Sequence, residues 1–140
     1  MTRRLVWLLV LVGLLAGFAV SAAGRWIQVY SDSDYLNGTD DYWDYRMTLV
    51  TGASYRFILT GIPWYADFDM RIWRDFDHDS RYDYPGERIT GSNSGYAGED
   101  ESFDFTPQAS ASSQSSTPYK LRVYSFSGSG WYTLYVYKWA

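Results

Sequence analysis

Alternation of apolar and polar positions dominates the chain after its first two dozen residues, and no segment there carries a convincing helical period. Tyr42 to Val50 puts Trp43, Tyr45, Met47 and Leu49 on one face and Asp44, Arg46 and Thr48 on the other. Thr51-Gly52-Ala53 turns the chain, and Ser54 to Thr60 alternates again with Tyr55, Phe57 and Leu59 together. The two segments read as a hairpin with both apolar faces on one core. After the break at Gly61-Ile62-Pro63, Asp67 to Trp73 directs Phe68, Met70 and Ile72 inward and Asp67, Asp69, Arg71 and Trp73 outward. Further strands are expected at Arg25 to Tyr30, Arg88 to Thr90, Glu101 to Thr106, Tyr119 to Phe126 and Trp131 to Trp139. Ser31 to Asp41 reads as a polar turn region, and Pro107 to Thr117 as a Ser- and Gln-rich loop. Seven or eight short antiparallel strands separated by Gly-rich turns predict an all-β sandwich, in one domain and with no internal repeat.

The first residues read differently. Arg3 and Arg4 precede an uncharged apolar run, Leu5 to Val20, which ends in small residues suited to cleavage after Ala22 or Ala23. Residues 1–23 are therefore expected to be a signal peptide and 24–140 the exported domain, secreted or at the cell surface, with an uncleaved anchor helix as the alternative. Twelve basic residues face sixteen acidic ones; without Arg3 and Arg4 the formal charge moves from −4 to −6. Nucleic acid and, after cleavage, an anionic membrane surface are thereby disfavoured as partners, since both need a basic face. With no cysteine, the domain has neither disulfides nor thiol chemistry, so its core or a metal must supply its stability.

Between Asp67 and Asp83 stand six aspartates in seventeen residues. Like charges so close disfavour the folded state unless something compensates them. Asp75-x-Asp77-x-Asp79 has the spacing of an oxygen-ligand calcium loop, in which alternate side chains of a tight turn converge on one hard cation. Asp75, Asp77, Asp79 and Asp83 are the expected Ca2+ ligands, and Asp67 and Asp69 could join them from the strand before. Ser80 stands where such a loop usually has Gly, and Gly86 where it has Glu. The alternatives are a solvated acidic loop neutralised by Arg71, Arg74, Arg81 and Arg88, and an ion pair of Asp67 or Asp69 with Arg71. His78 is the only histidine, and neither a G-x-S-x-G elbow nor an H-E-x-x-H helix is present. Catalytic residues are not expected.

Fourteen Tyr, seven Trp and seven Phe make up a fifth of the chain. On the last strand Trp131, Tyr135, Tyr137 and Trp139 share one face and Tyr132, Leu134 and Val136 the other. Both cannot be core in a two-layer sandwich unless something covers the second. The aromatic face is either a binding surface for a polymer or another subunit, or is covered by the Arg25 to Tyr30 segment.

Several of these pieces together resemble the bacterial and archaeal pre-peptidase C-terminal domains. They are Asp40-Asp41-Tyr42-Trp43-Asp44-Tyr45-Arg46 followed by Gly52 to Leu59, the D-x-D strand Asp67 to Trp73, the start Glu99-Asp100-Glu101-Ser102-Phe103, and the closing strands Tyr119 to Tyr124 and Gly130 to Val136. The resemblance covers about residues 40–137. It implies a jelly-roll-like sandwich without catalytic activity, of a kind in which some members, collagen-binding domains among them, bind calcium and extracellular polymers. It also raises a second calcium position at Asp40 and Asp41, with Asp32 or Asp34, although turn-capping aspartates are the reading preferred there. No peptidase segment precedes the domain in this sequence. The combined expectation is a secreted, calcium-stabilised structural or adhesion subunit that assembles with copies of itself or with an extracellular polymer, through surface aromatics and edge strands. The alternative is a stand-alone module that binds a polysaccharide or a protein such as collagen.

Overall fold

The computed structural model describes residues 23–75, 81–82, 88–92, 96–108 and 116–140. The signal segment and Asp77, His78, Asp79 and Asp83 lie outside them. No helix among the described residues is long and apolar enough to cross a membrane. Eight strands follow in order: β1 (Trp26–Leu36), β2 (Tyr42–Val50), β3 (Tyr55–Thr60), β4 (Asp67–Arg74), β5 (Arg88–Ser92), β6 (Glu101–Phe105), β7 (Ser116–Ser127) and β8 (Gly130–Trp139). They form two antiparallel sheets, sheet A in the order β1-β8-β3-β6 and sheet B in the order β2-β7-β4-β5. The ladders β1·β8, β2·β7, β3·β6 and β4·β5 are nested, as in a long antiparallel ribbon rolled on itself. That is the jelly-roll arrangement.

Because the ribbon is rolled, successive strands other than β4 and β5 lie in opposite sheets. This corrects the expected hairpin of Tyr42 to Val50 with Ser54 to Thr60. Both strands do aim apolar residues at one core, but from opposite sides of it. Alternation reports which face is inward, not which layer the strand joins. β1 also runs six residues past its expected end at Tyr30. Ladder bonds to β8 hold Ser31 to Leu36 extended although most of those side chains are polar. β7 likewise begins at Ser116, inside the stretch expected to be loop.

The core is filled by the inward triplets Tyr55-Phe57-Leu59, Phe68-Met70-Ile72, Tyr119-Leu121-Val123 and Tyr132-Leu134-Val136. Phe57 stacks on Phe103 at 4.9 Å. The β5/β6 side is closed by a hydrogen bond from Ser92 Oγ to Glu101, whose side chain is fully buried. Between β7 and β8 the turn takes a left-handed φ of 79° at Gly128, where an added Cβ would stand 2.9 Å from Ala66. Glycine is required there by conformation and by space.

The opposite side of the sandwich is open. β1 and β2 are the facing edges of the two sheets, and every β1 residue from Ile27 to Ser33 is exposed.

Candidate functional site

Sheet A presents its outer face along β8. Because Tyr132, Leu134 and Val136 enter the core, Trp131, Thr133, Tyr135 and Tyr137 point away from it. At the end of the strand Trp139 is 47% exposed, and Trp131 is 63% exposed. With alternate residues about 6.8 Å apart, the row from Trp131 to Trp139 is about 27 Å long. β1 widens the row instead of covering it, because it pairs beside β8 in the same sheet. Tyr35 meets Trp131 edge-on at 5.7 Å, Trp26 meets Trp139 at 5.2 Å, and Ser33 Oγ and Thr133 Oγ1 are hydrogen-bonded at 2.8 Å. Tyr135 and Tyr137 lie between, 6.3 Å apart and tilted by 34°. Arg56 binds Asp104 through two bonds of 2.7 and 2.8 Å and lies over Trp26 at 4.4 Å. The four residues expected on one face are therefore together, on the outside of a central strand. A segment expected to cover them adds to the face instead.

Sheet B uses its outer face differently. Arg122 grips Asp44 with bonds of 2.7 and 2.9 Å and stacks 3.7 Å over Tyr42. Lys120 lies 4.6 Å over Trp73 and Arg71 4.4 Å over Tyr124. These contacts bury Trp73, whose position on the outer face had suggested exposure. Cation–π contacts of this kind tie down aromatic rings that would otherwise stand free.

Asp67 and Asp69 sit at one end of this face and are buried. Tyr124 donates its hydroxyl to Asp69 Oδ2 at 2.8 Å, while Oδ1 of each aspartate has no hydrogen-bond partner. Arg71 stacks on Tyr124, and its charge favours the ionised form of Asp69. Burial raises both pKa values above the usual carboxylate range; the Glu101 charge adds to this at Asp67, and the Asp67 and Glu101 charges at Asp69. The same burial and the bond to Asp69 push the Tyr124 hydroxyl up to about 12. Asp75, the first residue of the acidic loop, is also buried. The loop is the β4–β5 hairpin connection, and its remaining aspartates lie outside the described residues. Among the described residues no group of three or more carboxylate or imidazole side chains is arranged to hold a metal ion. Asp41 caps the turn before β2, accepting from Asn37 N at 2.7 Å and Tyr42 N at 2.9 Å, as the turn-capping alternative had it.

A feature missed in the sequence lies on the open side. Between β1 and β2 runs a groove of about 480 Å3, lined by Val29, Tyr30, Tyr45, Met47, Leu49 and Val136 among others. Tyr30, Asp32, Asp34 and Leu36 share the inner side of β1, in register with Val136, Leu134, Tyr132 and Gly130. Tyr45 and Tyr132 join β2 to β8 through a hydroxyl contact of 2.6 Å, and Trp43 Nε1 donates to the Tyr35 carbonyl at 3.1 Å. Partial burial, reinforced by Asp32, pushes the Tyr30 hydroxyl up to about 12. The period-two set Tyr30, Asp32, Asp34, Leu36 was the available signal, hidden because two carboxylates occupy positions that face the core.

No family model matches the chain, and no curated protein matches it. Among solved structures it is similar to PliG of Aeromonas hydrophila, described as a periplasmic lysozyme inhibitor of g-type lysozyme. The identity is 15% and the TM-score 0.49, over 88% of this chain and 92% of that one. The expectation of a structural or adhesion subunit that assembles through edge strands is corrected at this point. The last strand, β8, cannot serve as an edge for such assembly, because it is hydrogen-bonded to β1 on one side and β3 on the other.

Proposed function

We propose that the chain is an exported, non-catalytic jelly-roll module that binds an extracellular polymer, polysaccharide or protein, on the outer aromatic face of sheet A. What carries this reading is the contrast between the two outer faces. On sheet A the row Trp131, Tyr135, Tyr137, Trp139 is continuous and open at both ends, whereas on sheet B Arg71, Lys120 and Arg122 lie over Tyr124, Trp73 and Tyr42, leaving Phe126 open outside that set. Exposed flat rings in a row, flanked by the hydroxyls of Ser31, Ser33 and Thr133, suit stacking against sugar rings or an extended polypeptide. The resemblance to pre-peptidase C-terminal domains agrees with such a role and makes collagen one polymer to test.

Wild type is expected to be retained on at least one of insoluble cellulose, chitin, collagen and immobilised g-type lysozyme. Each large aromatic contributes roughly 1.5–3 kcal/mol when buried, so Trp131→Ala should weaken retention about tenfold or more. The Tyr135→Ser, Tyr137→Ser double variant should do the same. Circular dichroism must find both variants folded. Retention on none of the four supports, or equal retention by folded variants, would remove the proposal.

Calcium at Asp75 and the loop after it is a further proposal. It predicts a melting midpoint raised by calcium, since a hundredfold excess over Kd adds about 2.7 kcal/mol to the folded state. Identical melting in calcium and in chelator would eliminate it.

A further inference from the structure

The groove on the open side carries a cation at an inward position. Its wall on sheet A begins at the rung Ile27–Lys138–Tyr55 and continues at Tyr30–Val136–Phe57. Lys138 takes the position that extends Tyr132, Leu134 and Val136, the inward residues of β8. It is half-buried, and among the described residues it has no ion-pair or hydrogen-bond partner. A lysine so placed lays its stem along apolar surface and holds its ammonium at the rim. The other charged residues along the groove are differently engaged. Asp44 is held by Arg122 in two bonds, and Arg46 lies on the exposed β2 rim, 5.7 Å over the Tyr82 ring.

Away from Lys138 the lining is apolar. Met47 and Leu49 form the wall on β2, and Val29 and Val50 are left exposed at the two rims. The rings of Tyr30 and Tyr45, edge-on and 6.2 Å apart, stand at the far end. From Val50 to Tyr45, β2 gives this trough a length of about 17 Å. Its volume of about 480 Å3 falls within the usual span of about 300–1,000 Å3 for small-molecule sites, which are mostly apolar with a few placed polar groups. Charge changes sign along it. Beyond Tyr30, Asp32 and Asp34 take the inward positions of β1, so an anion is drawn to the Lys138 end and repelled from the other.

We infer that the β1/β2 groove binds an amphiphilic carboxylate of the free fatty acid class, with its head group on Lys138 and its chain along Val29, Met47 and Leu49 toward Tyr45. Burial of the chain supplies the affinity, and the single cation fixes which way round the ligand lies. The site is separate from the aromatic face of β8 and stands whether or not that face binds a polymer.

The test titrates decanoate, below its micelle-forming concentration, into the full chain labelled with 15N, with calorimetry alongside. Amides of residues 45–50 and 136–138 should shift while those around Trp131 stay in place. Decanol should bind about tenfold more weakly, one charge-assisted hydrogen bond being lost, and decyltrimethylammonium should not bind. Lys138→Gln should lower decanoate affinity about tenfold and leave decanol affinity unchanged. Val29→Asp, at an exposed position, should abolish decanoate binding without moving the melting curve, and it decides the matter if Lys138→Gln fails to fold. Arg46→Gln should weaken binding less than Lys138→Gln; a larger loss there would overturn the placement of the head group. Absence of decanoate binding, equal affinity for decanoate and decanol, unchanged affinity in either folded groove variant, or shifts confined to the Trp131 face would overturn the inference. So would shifts in these amides that follow protein concentration without ligand, which would give the groove to a second copy. Binding to anionic vesicles with none to decanoate monomers would overturn it in favour of a membrane surface. Decanoate binding that fails while polymer retention persists removes the groove alone; the reverse result removes the aromatic face alone.

Discussion

Phe57→Ala should destabilise the domain by about 3–5 kcal/mol, the usual cost of emptying a buried aromatic site. Phe57 is fully buried in β3, the strand between β8 and β6, and stacks on Phe103 of β6 at 4.9 Å. Truncation would leave a cavity that the rigid ladders on either side cannot collapse to fill. Against a typical total of 5–15 kcal/mol, thermal melting should fall by roughly 10–20 °C. Trp131→Ala, on the outer face, should change stability by less than about 0.5 kcal/mol. Similar melting of the two variants would show that the division of aromatic residues into core and binding face is wrong.

Asp67→Asn should have the opposite effect and stabilise the fold at neutral pH, because it removes a carboxylate that burial and the Glu101 charge disfavour in its ionised form. Asp67 Oδ1 is buried without a partner, and burial together with the Glu101 charge raises its folded pKa. A carboxyl group whose folded pKa is raised is penalised once it must ionise. Relative to the unfolded chain, the stability that it permits is fully present below the unfolded pKa of about 3.9 and is lost as pH rises through the folded value. The difference between variant and wild type should therefore be largest near pH 7 and shrink toward zero below about pH 4. Groups that do not interact with Asp67, such as Asp104 held low by Arg56, cancel in that difference, while Asp69, whose pKa the Asp67 charge raises, adds to it in the same direction. Chemical denaturation of both proteins from pH 3 to 8 measures it. A variant less stable than wild type at pH 7 would instead mean that a cation occupies the Asp67–Asp69 pair.

The sequence makes the inner faces of most strands legible. In β2, β3, β4, β6 and β8, alternation identifies strand and orientation because one face is apolar enough to stand out. The allocation of strands to sheets is not legible, since two strands facing one core look alike whichever layer they join. β1 escapes for a related reason: its inner positions Asp32 and Asp34 are charged, so the pattern breaks while the backbone ladder to β8 continues. The aromatic row on β8 is readable as a row, but not as exposed. The same composition on sheet B is tied down by arginines and a lysine brought from neighbouring strands, a cross-strand pairing that only register reveals. The corrected role as an adhesion subunit rested on surface aromatics and edge strands, and β8, the last strand in sequence, is interior to sheet A because β1 pairs on its far side.

The nested ladder has a kinetic consequence. Its outermost rung joins Arg25 to Ala140 through backbone bonds of 2.8 and 3.0 Å, and Ser33 meets Thr133 one hundred residues away. Sheet A cannot be completed before the final strand is available, because β8 lies between β1 and β3. Chains whose contacts are this distant in sequence pay for loop closure before pairing rewards it, and they fold in milliseconds to seconds, not microseconds. A domain of this topology emerges from synthesis with its first strand unpaired, and β1 stays without a partner until β8 arrives to join it to β3.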